Sequence, residues 1–262
     1  MNLDLTGKTA LVCGSTQGIG KAAAIELALL GANVTLLARN EEKLQEVLDE
    51  LPRKKSQKHR YLVIDFAKTN QVRPKIERYL AKYPKVHILV NNTGGPAGGP
   101  VIDANPEQFI QAFNEHIVVA QILTQSVTPS MKEAGFGRII NITSIGMKQP
   151  IVGLGVSNTI RGAMGSWAKS MANELGKFGI TTNNVLPGYT TTGRLQKVNE
   201  MRATLTNKPI EEVEQELIKD IPIGRFTTPQ ETAAVIAFLC SPAAASVNGV
   251  SIPVDGGKTS SL

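Results

Sequence analysis

Cysteine is almost missing from this 262-residue chain, with only Cys13 and Cys240 present. The two are too far apart in sequence for a metal pair and too few for a disulfide framework. Both lie in apolar runs, so they read as buried thiols of a cytoplasmic protein, and no metal site is expected. No uncharged apolar run reaches membrane-spanning length, and the start Met1-Asn2-Leu3-Asp4-Leu5 has no basic region followed by an apolar core. Neither membrane insertion nor a signal peptide is therefore expected. Long Pro/Gly/Ser linkers and internal repeats are absent, so residues 1–262 read as a single domain. Aromatics make up only 5% of the chain, and the one dense basic run, Arg53 to Arg60, contains none. A groove for single-stranded nucleic acid needs interleaved stacking residues. The net charge of +6 is thus read as an excess of solvated lysines, and no nucleic-acid partner is expected.

What the chain does have is an apolar fraction of 42%, enough for a full core, and one informative turn. The apolar run Thr9–Cys13 leads into Gly14-Ser15-Thr16-Gln17-Gly18-Ile19-Gly20, and then into the alanine-rich stretch starting at Lys21. This is a buried strand, a glycine turn and a helix start. Gly14 permits the turn, Gly18 lets backbone approach a phosphate, and Gly20 lets helix and strand pack closely. The free N–H groups of the helix's first turn would face a dinucleotide diphosphate.

The first helix runs to about Leu30, with Gly31 as its C-terminal cap. Asn33–Ala38 is a second strand, and Arg39 follows at its C-terminal end, where an α/β sheet of this kind meets the adenine ribose. An acidic residue there would hold the hydroxyls of NAD(H). Arg39 favours the 2′-phosphate of NADP(H) instead. Helices at 41–51 and 71–83 alternate with strands at 61–64 and 86–90. Asp65-Phe66 follow the third strand, and Asn91-Asn92-Thr93-Gly94 end the fourth. Alternation of this kind predicts an α/β, doubly wound parallel sheet of about seven strands with helices on both faces and right-handed crossovers. One long helix is expected over 106–132, a fifth strand over 137–143, a helix over 151–178 and a sixth strand over 181–186. Pro187-Gly188-Tyr189 come next, then helices at 210–219 and 229–239, with Thr228 as N-cap, and a last strand at 250–254.

The glycine loop, Arg39, Asp65 and Asn91-Asn92-Thr93-Gly94 resemble the short-chain dehydrogenase/reductase family, most of all its 3-oxoacyl-(acyl-carrier-protein) reductase type. Cys13 and Thr93 are mild departures, since the family has Thr and Ala there. The resemblance implies a Rossmann-like domain and NADP(H)-dependent reduction of a ketone, such as a 3-oxoacyl thioester, to a secondary alcohol. It also implies a homo-oligomer, dimer or tetramer, built on the two long helices, and a substrate lid at 190–225. The cofactor would be held by residues 14–20 (Gly14, Ser15, Thr16, Gln17, Gly18, Ile19, Gly20), Arg39, Asp65, Phe66, Asn92, Gly94, Arg161, Pro187, Gly188 and Thr192. Leu195, Val198 and Met201 in the lid read equally as contacts for an apolar ligand or as helix packing.

The family reduces carbonyls with Asn, Ser, Tyr and Lys. The tyrosine donates the proton, the lysine lowers its pKa, the serine steadies the substrate oxygen and the asparagine holds a relay water. The positions matching this set are His116, Ser144, Ser157 and Arg161 here. No Tyr-x-x-x-Lys occurs nearby, and no tyrosine lies between Tyr83 and Tyr189. A serine hydroxyl is a far weaker acid than a phenol and reaches less far. Arg161 keeps its charge at all accessible pH. Loss of a general acid costs on the order of 10²–10⁴ in rate. Tyr189 and His116 are the candidate substitutes for the proton donor, since histidine ordinarily titrates near neutrality, and Lys148 lies on the same loop as Ser144. Three readings follow: a reductase with an altered acid, a catalytically impaired NADP(H)-binding subunit, or another chemistry, such as a lyase or isomerase, on the same scaffold.

Overall fold

The computed structural model describes residues 1–261. Seven strands form one parallel sheet: β1 Thr9–Cys13, β2 Asn33–Ala38, β3 Arg60–Val63, β4 Ile88–Asn91, β5 Gly137–Ile142, β6 Ile180–Pro187 and β7 Ser251–Val254. Their order is β3-β2-β1-β4-β5-β6-β7. The order reverses between β1 and β4, which opens a crevice at the C-terminal ends of those strands. Helices cover both faces of the sheet, and the described residues hold nine α-helices in all: α1 Gly18–Leu29, α2 Glu41–Glu50, α3 Thr69–Lys82, α4 Pro106–Phe113, α5 Val119–Glu133, α6 Gly155–Leu175, α7 Gly193–Thr206, α8 Ile210–Lys219 and α9 Pro229–Cys240.

Strand residues alternate between two cores, as a pleated strand requires. Ala10 and Val12 pack with Ala24 and Leu27 of α1 and Ile236 of α9. Leu11 and Cys13 face Val72 and Ile76 of α3 and Leu123 and Val127 of α5. Both cysteines are buried and free, and burial pushes Cys13 up to about 12, so both are unreactive thiols, as the sequence suggested.

Several boundaries differ from the sequence reading. α1 starts at Gly18, inside the glycine loop, so its first turn belongs to the loop itself. The long helix expected over 106–132 is present, with α4 and α5 run together through a π-turn at Asn114–Val118 that interrupts the α-helical bonding. The helix expected over 151–178 begins only at Gly155, and its last turn, Gly176–Phe178, tightens to 3-10. The lid holds a helix, α7, that the sequence reading left out, since its apolar residues follow no clear face. Thr228 does cap α9, in a reciprocal box with Glu231, and Gly31, at φ +102, closes α1.

A polar ladder crosses the buried sheet. Asn91 Nδ2 donates to Asn141 Oδ1 at 2.9 Å, Asn141 Nδ2 to Asn184 Oδ1 at 3.0 Å, and Asn184 Nδ2 to Ser251 Oγ at 3.1 Å. The strand register places these four residues side by side. Each amide satisfies its neighbour where no water reaches, and donation in one direction polarises the chain. Replacing Asn141 with leucine leaves a buried donor on Asn91 and a buried acceptor on Asn184, each costing about 1–3 kcal/mol. Asn141→Leu should therefore lower the unfolding free energy by about 2–6 kcal/mol in urea titrations. A loss under about 1 kcal/mol would show that the ladder carries no stability.

Candidate active site

The crevice is floored by the glycine turn. Gly14 and Gly18 have φ of +58 and +54, the left-handed region that favours glycine. A Cβ on Gly20 would collide with the Gly14 carbonyl, and one on Gly14 would lie 2.7 Å from Asn92 Nδ2. The N-cap of α1, Gln17, makes no side-chain cap, and the first turn carries no acidic residue. Its N–H groups are thus left for an anion. Ser15 is fully buried beneath the loop.

Asn92 follows β4 directly, and its Nδ2 donates to the carbonyls of Cys13 and Gly14, both at 3.2 Å. The side chain therefore holds the glycine turn against the next strand. On the other side, Thr192 caps α7 through its hydroxyl. Its Cγ2 lies 3.2 Å from where a Gly18 Cβ would be, so the lid begins against the loop. Gly188 sits where any Cβ would strike Asp255, and Pro187 pairs with Val254. Arg39 is exposed and has no hydrogen bond or ion pair among the described residues. Asp65 accepts from the backbone N–H of Ala67 at 3.1 Å, and Phe66 packs on the core beside it. Gly94 is exposed on the loop after β4.

The four positions that match the family's catalytic set lie after β5, on α6 and in the π-turn. Ser144 follows β5, and its Oγ accepts from the Gly146 N–H at 3.1 Å. That leaves its O–H free to donate. Ser157 and Arg161 are one turn apart on α6 and both buried, at 9% and 7% exposed. The Arg161 Nη1 donates to the Ile142 carbonyl at 2.9 Å, while its Nε is buried without a partner. Asn158, between them, exchanges hydrogen bonds with the Ile151 backbone and so fixes the loop that leads into α6. Arg161, His116, Asn92, Thr93 and Cys13 line a cavity of about 10 Å³.

His116 lies in the π-turn, 3% exposed. Such turns recur at functional sites. Its Nδ1 makes a short hydrogen bond with the Thr93 hydroxyl. The two departures at 93 and 116, unrelated in the sequence reading, are partners in space. Burial, then the charge of Arg161, hold the imidazole down to about 2. The expectation that His116 titrates near neutrality is therefore corrected: the ring is neutral at physiological pH and cannot serve as an imidazolium acid. Tyr189 is half-buried, edge-on to Phe226 at 6.3 Å, with the Arg202 guanidinium 5.8 Å from its ring centroid. It does not line the Arg161 cavity. In the lid, Leu195 and Val198 are buried, and Met201 packs on Gly98, so these residues hold the lid together. No group of His, Cys, Asp and Glu suited to a metal occurs among the described residues.

The neutral His116 has a consequence for stability. Its folded affinity for a proton lies below the unfolded value of 6.5, so the unfolded chain takes up a proton that the folded chain refuses. The stabilisation is complete above pH 6.5 and is lost as pH falls toward about 2. His87, held to about 4 by burial and by Lys8 and Lys85, contributes in the same sense, so a variant is needed to isolate His116. Between pH 6.5 and 4.5 the wild type should lose about 2–3 kcal/mol more than His116→Asn. Equal losses in urea unfolding at the two pH values would show that His116 is not held neutral.

A family model described as Enoyl-(Acyl carrier protein) reductase matches residues 14–259. The 7alpha-hydroxysteroid dehydrogenase of Escherichia coli K12 is 32% identical over 262 residues, covering 100% of this chain and 98% of its own. The L-sorbose reductase of Gluconobacter frateurii, solved as a complex with NADPH and L-sorbose, matches with a TM-score of 0.92 at 29% identity over 100% of both chains. Actinorhodin polyketide ketoreductase with NADPH matches with a TM-score of 0.89 at 31% identity, over 97% of this chain and 98% of that one. With sequence and fold agreeing along its whole length, this chain belongs to the short-chain dehydrogenase/reductase family.

Proposed function

We propose that the protein is an NADP(H)-dependent reductase that converts a ketone to a secondary alcohol without a tyrosine acid. The observation that carries this reading is the intact cofactor cradle beside an altered acid. Gly14, Gly18 and Gly20 let the loop, Asn92 and Thr192 approach more closely than a Cβ would allow. The first turn of α1 is uncapped by any side chain, and Arg39 stands free at the end of β2. Residues 14–20 would take the diphosphate and Arg39 the ribose 2′-phosphate. Asp65 and Phe66 would border the adenine. Gly94, Pro187, Gly188 and Thr192 would border the nicotinamide end, with Asn92 holding the loop in place. When bound, NADPH supplies the hydride.

The chain's own residues orient the carbonyl and neutralise the charge that forms on it. The Ser144 O–H donates toward the substrate oxygen. Arg161, buried and fixed by the Ile142 carbonyl, places a permanent positive charge beside the developing oxyanion, where low dielectric strengthens it. Solvent water supplies the proton, so one hydride and one proton account for the alcohol. The sequence left Tyr189 and His116 as donors. The neutral His116 and the Phe226-packed Tyr189 favour this electrostatic route instead. A 3-oxoacyl thioester, the substrate type of the relatives that this chain resembles, fits this chemistry. The reading includes a cytoplasmic homo-oligomer, a dimer or tetramer, supported by the exposed Ile110 and Phe113 on α4. No helix among the described residues is long and apolar enough to cross a membrane.

The same altered acid also favours a second reading, an NADP(H)-binding subunit without turnover. In that case NADPH binds, no ketone is reduced, and the pair Ser157→Tyr and Arg161→Lys restores activity. Titration by calorimetry tests the cofactor. NADPH should bind at least tenfold tighter than NADH, and Arg39→Ala should weaken NADPH by roughly 10- to 100-fold, the worth of one charged hydrogen bond, while NADH changes less than threefold. Absence of binding by either cofactor would sink both readings.

A further inference from the structure

Two arginines reach the same short loop from opposite sides. Arg161 comes from α6 and lines a cavity with Asn92 and Thr93. Arg194 comes from the first turn of α7, and its Nη2 donates to the Pro96 carbonyl at 2.6 Å. A Cβ on Gly95 would lie 3.3–3.5 Å from Arg194 Nη2, Nε and Cζ alike, so the guanidinium lies flat over Gly95. Residues 92–96 thus carry one guanidinium at the floor of the crevice and one at its mouth.

Neither cation has a carboxylate partner among the described residues. The ion pairs of this chain are made by Lys21, Lys55, Arg73, Lys208, Arg225 and Lys258, all elsewhere. Arg161 is 7% exposed, with Nε buried and unpartnered. A buried charge without a counter-ion is costly, and an unmade hydrogen bond adds to the cost. Burial and the Arg194 charge together push Arg161 down to about 10, so the two guanidiniums feel one another. An anion between them removes the repulsion and fills the open Nε. The cavity beside Arg161, about 10 Å³, is the size of one water oxygen. Guanidinium forks match carboxylates well.

We infer that Arg161 and Arg194 together bind a carboxylate on the substrate, so that the protein reduces a keto acid whose carboxylate lies close to the reacting carbonyl. This rests on the reductase reading and sets a free keto acid in place of the 3-oxoacyl thioester as its substrate class. It also assigns Arg194 as a specificity-determining residue: it closes with the lid and selects acids over neutral ketones.

Oxamate, an unreducible keto-acid mimic, and its neutral methyl ester test this by calorimetry against the NADPH-loaded protein. Oxamate should bind at least tenfold tighter than methyl oxamate. Arg194→Gln should erase that preference while changing the NADPH dissociation constant less than threefold, and Arg194→Lys should restore part of it. Equal binding of the two mimics to wild type overturns the inference. So does an Arg194→Gln variant that loses NADPH affinity tenfold and keeps its oxamate preference, since the anion is then the cofactor diphosphate. Should NADPH not bind, the reductase reading falls, and the same oxamate titration on the protein alone still decides the arginine pair. Oxamate preference without NADPH oxidation by 2-oxo acids supports the carboxylate site and rejects turnover.

Discussion

The amide of Asn92 is wedged between Gly14 and Gly20, and the crevice depends on it. Its Nδ2 reaches the carbonyls of Cys13 and Gly14 together, and a Cβ on either glycine would lie 2.7 Å from that nitrogen. One side chain therefore joins the end of β4 to the turn after β1, at the point where the strand order reverses. The α1 N-terminus, the loop at 92–96 and the start of α7 all take their places from that junction. Glycine at 14 and 20 is required here by close approach as much as by backbone freedom.

Charge inside the crevice is handled unevenly. Cys13 and His116 are buried and neutral, because desolvation disfavours their charged forms. Arg161 is buried and charged at neutral pH, because burial and the Arg194 charge bring its proton affinity down only to about 10. A neutral imidazole beside a fixed guanidinium cannot shuttle a proton, but it donates or accepts a hydrogen bond without competing for charge. The π-turn that aims His116 inward and the Thr93 hydroxyl that receives it act together. Under the proposed reading, a fixed guanidinium field at this position stabilises an oxyanion rather than delivering a proton.

The lid is tied down at several points. Thr192 rests on Gly18, Arg194 on Gly95 and Pro96, and Met201 on Gly98. Thr190 bonds Thr227 across the base of the lid at 3.0 Å. The start of α7 and the loop at 92–96 are therefore held against one another.

By itself the sequence determined the alternation of strands and helices, the parallel doubly wound sheet, the glycine loop, the kept serine at 144 and the changed positions at 116, 157 and 161. These are local signals: apolar period, turn residues and short motifs with fixed spacing. Tertiary structure alone decided what those residues do. The interruption at Asn114–Val118 is invisible in a continuous helical pattern, because a π-turn adds one residue without changing composition. The Asn91–Asn141–Asn184–Ser251 ladder joins residues from four strands whose register no local pattern states. The pairing of Thr93 with His116, and of Arg161 with Arg194, spans 23 and 33 positions of chain. Burial then set the charge of each group, and burial is a property of the folded neighbours rather than of the residue itself.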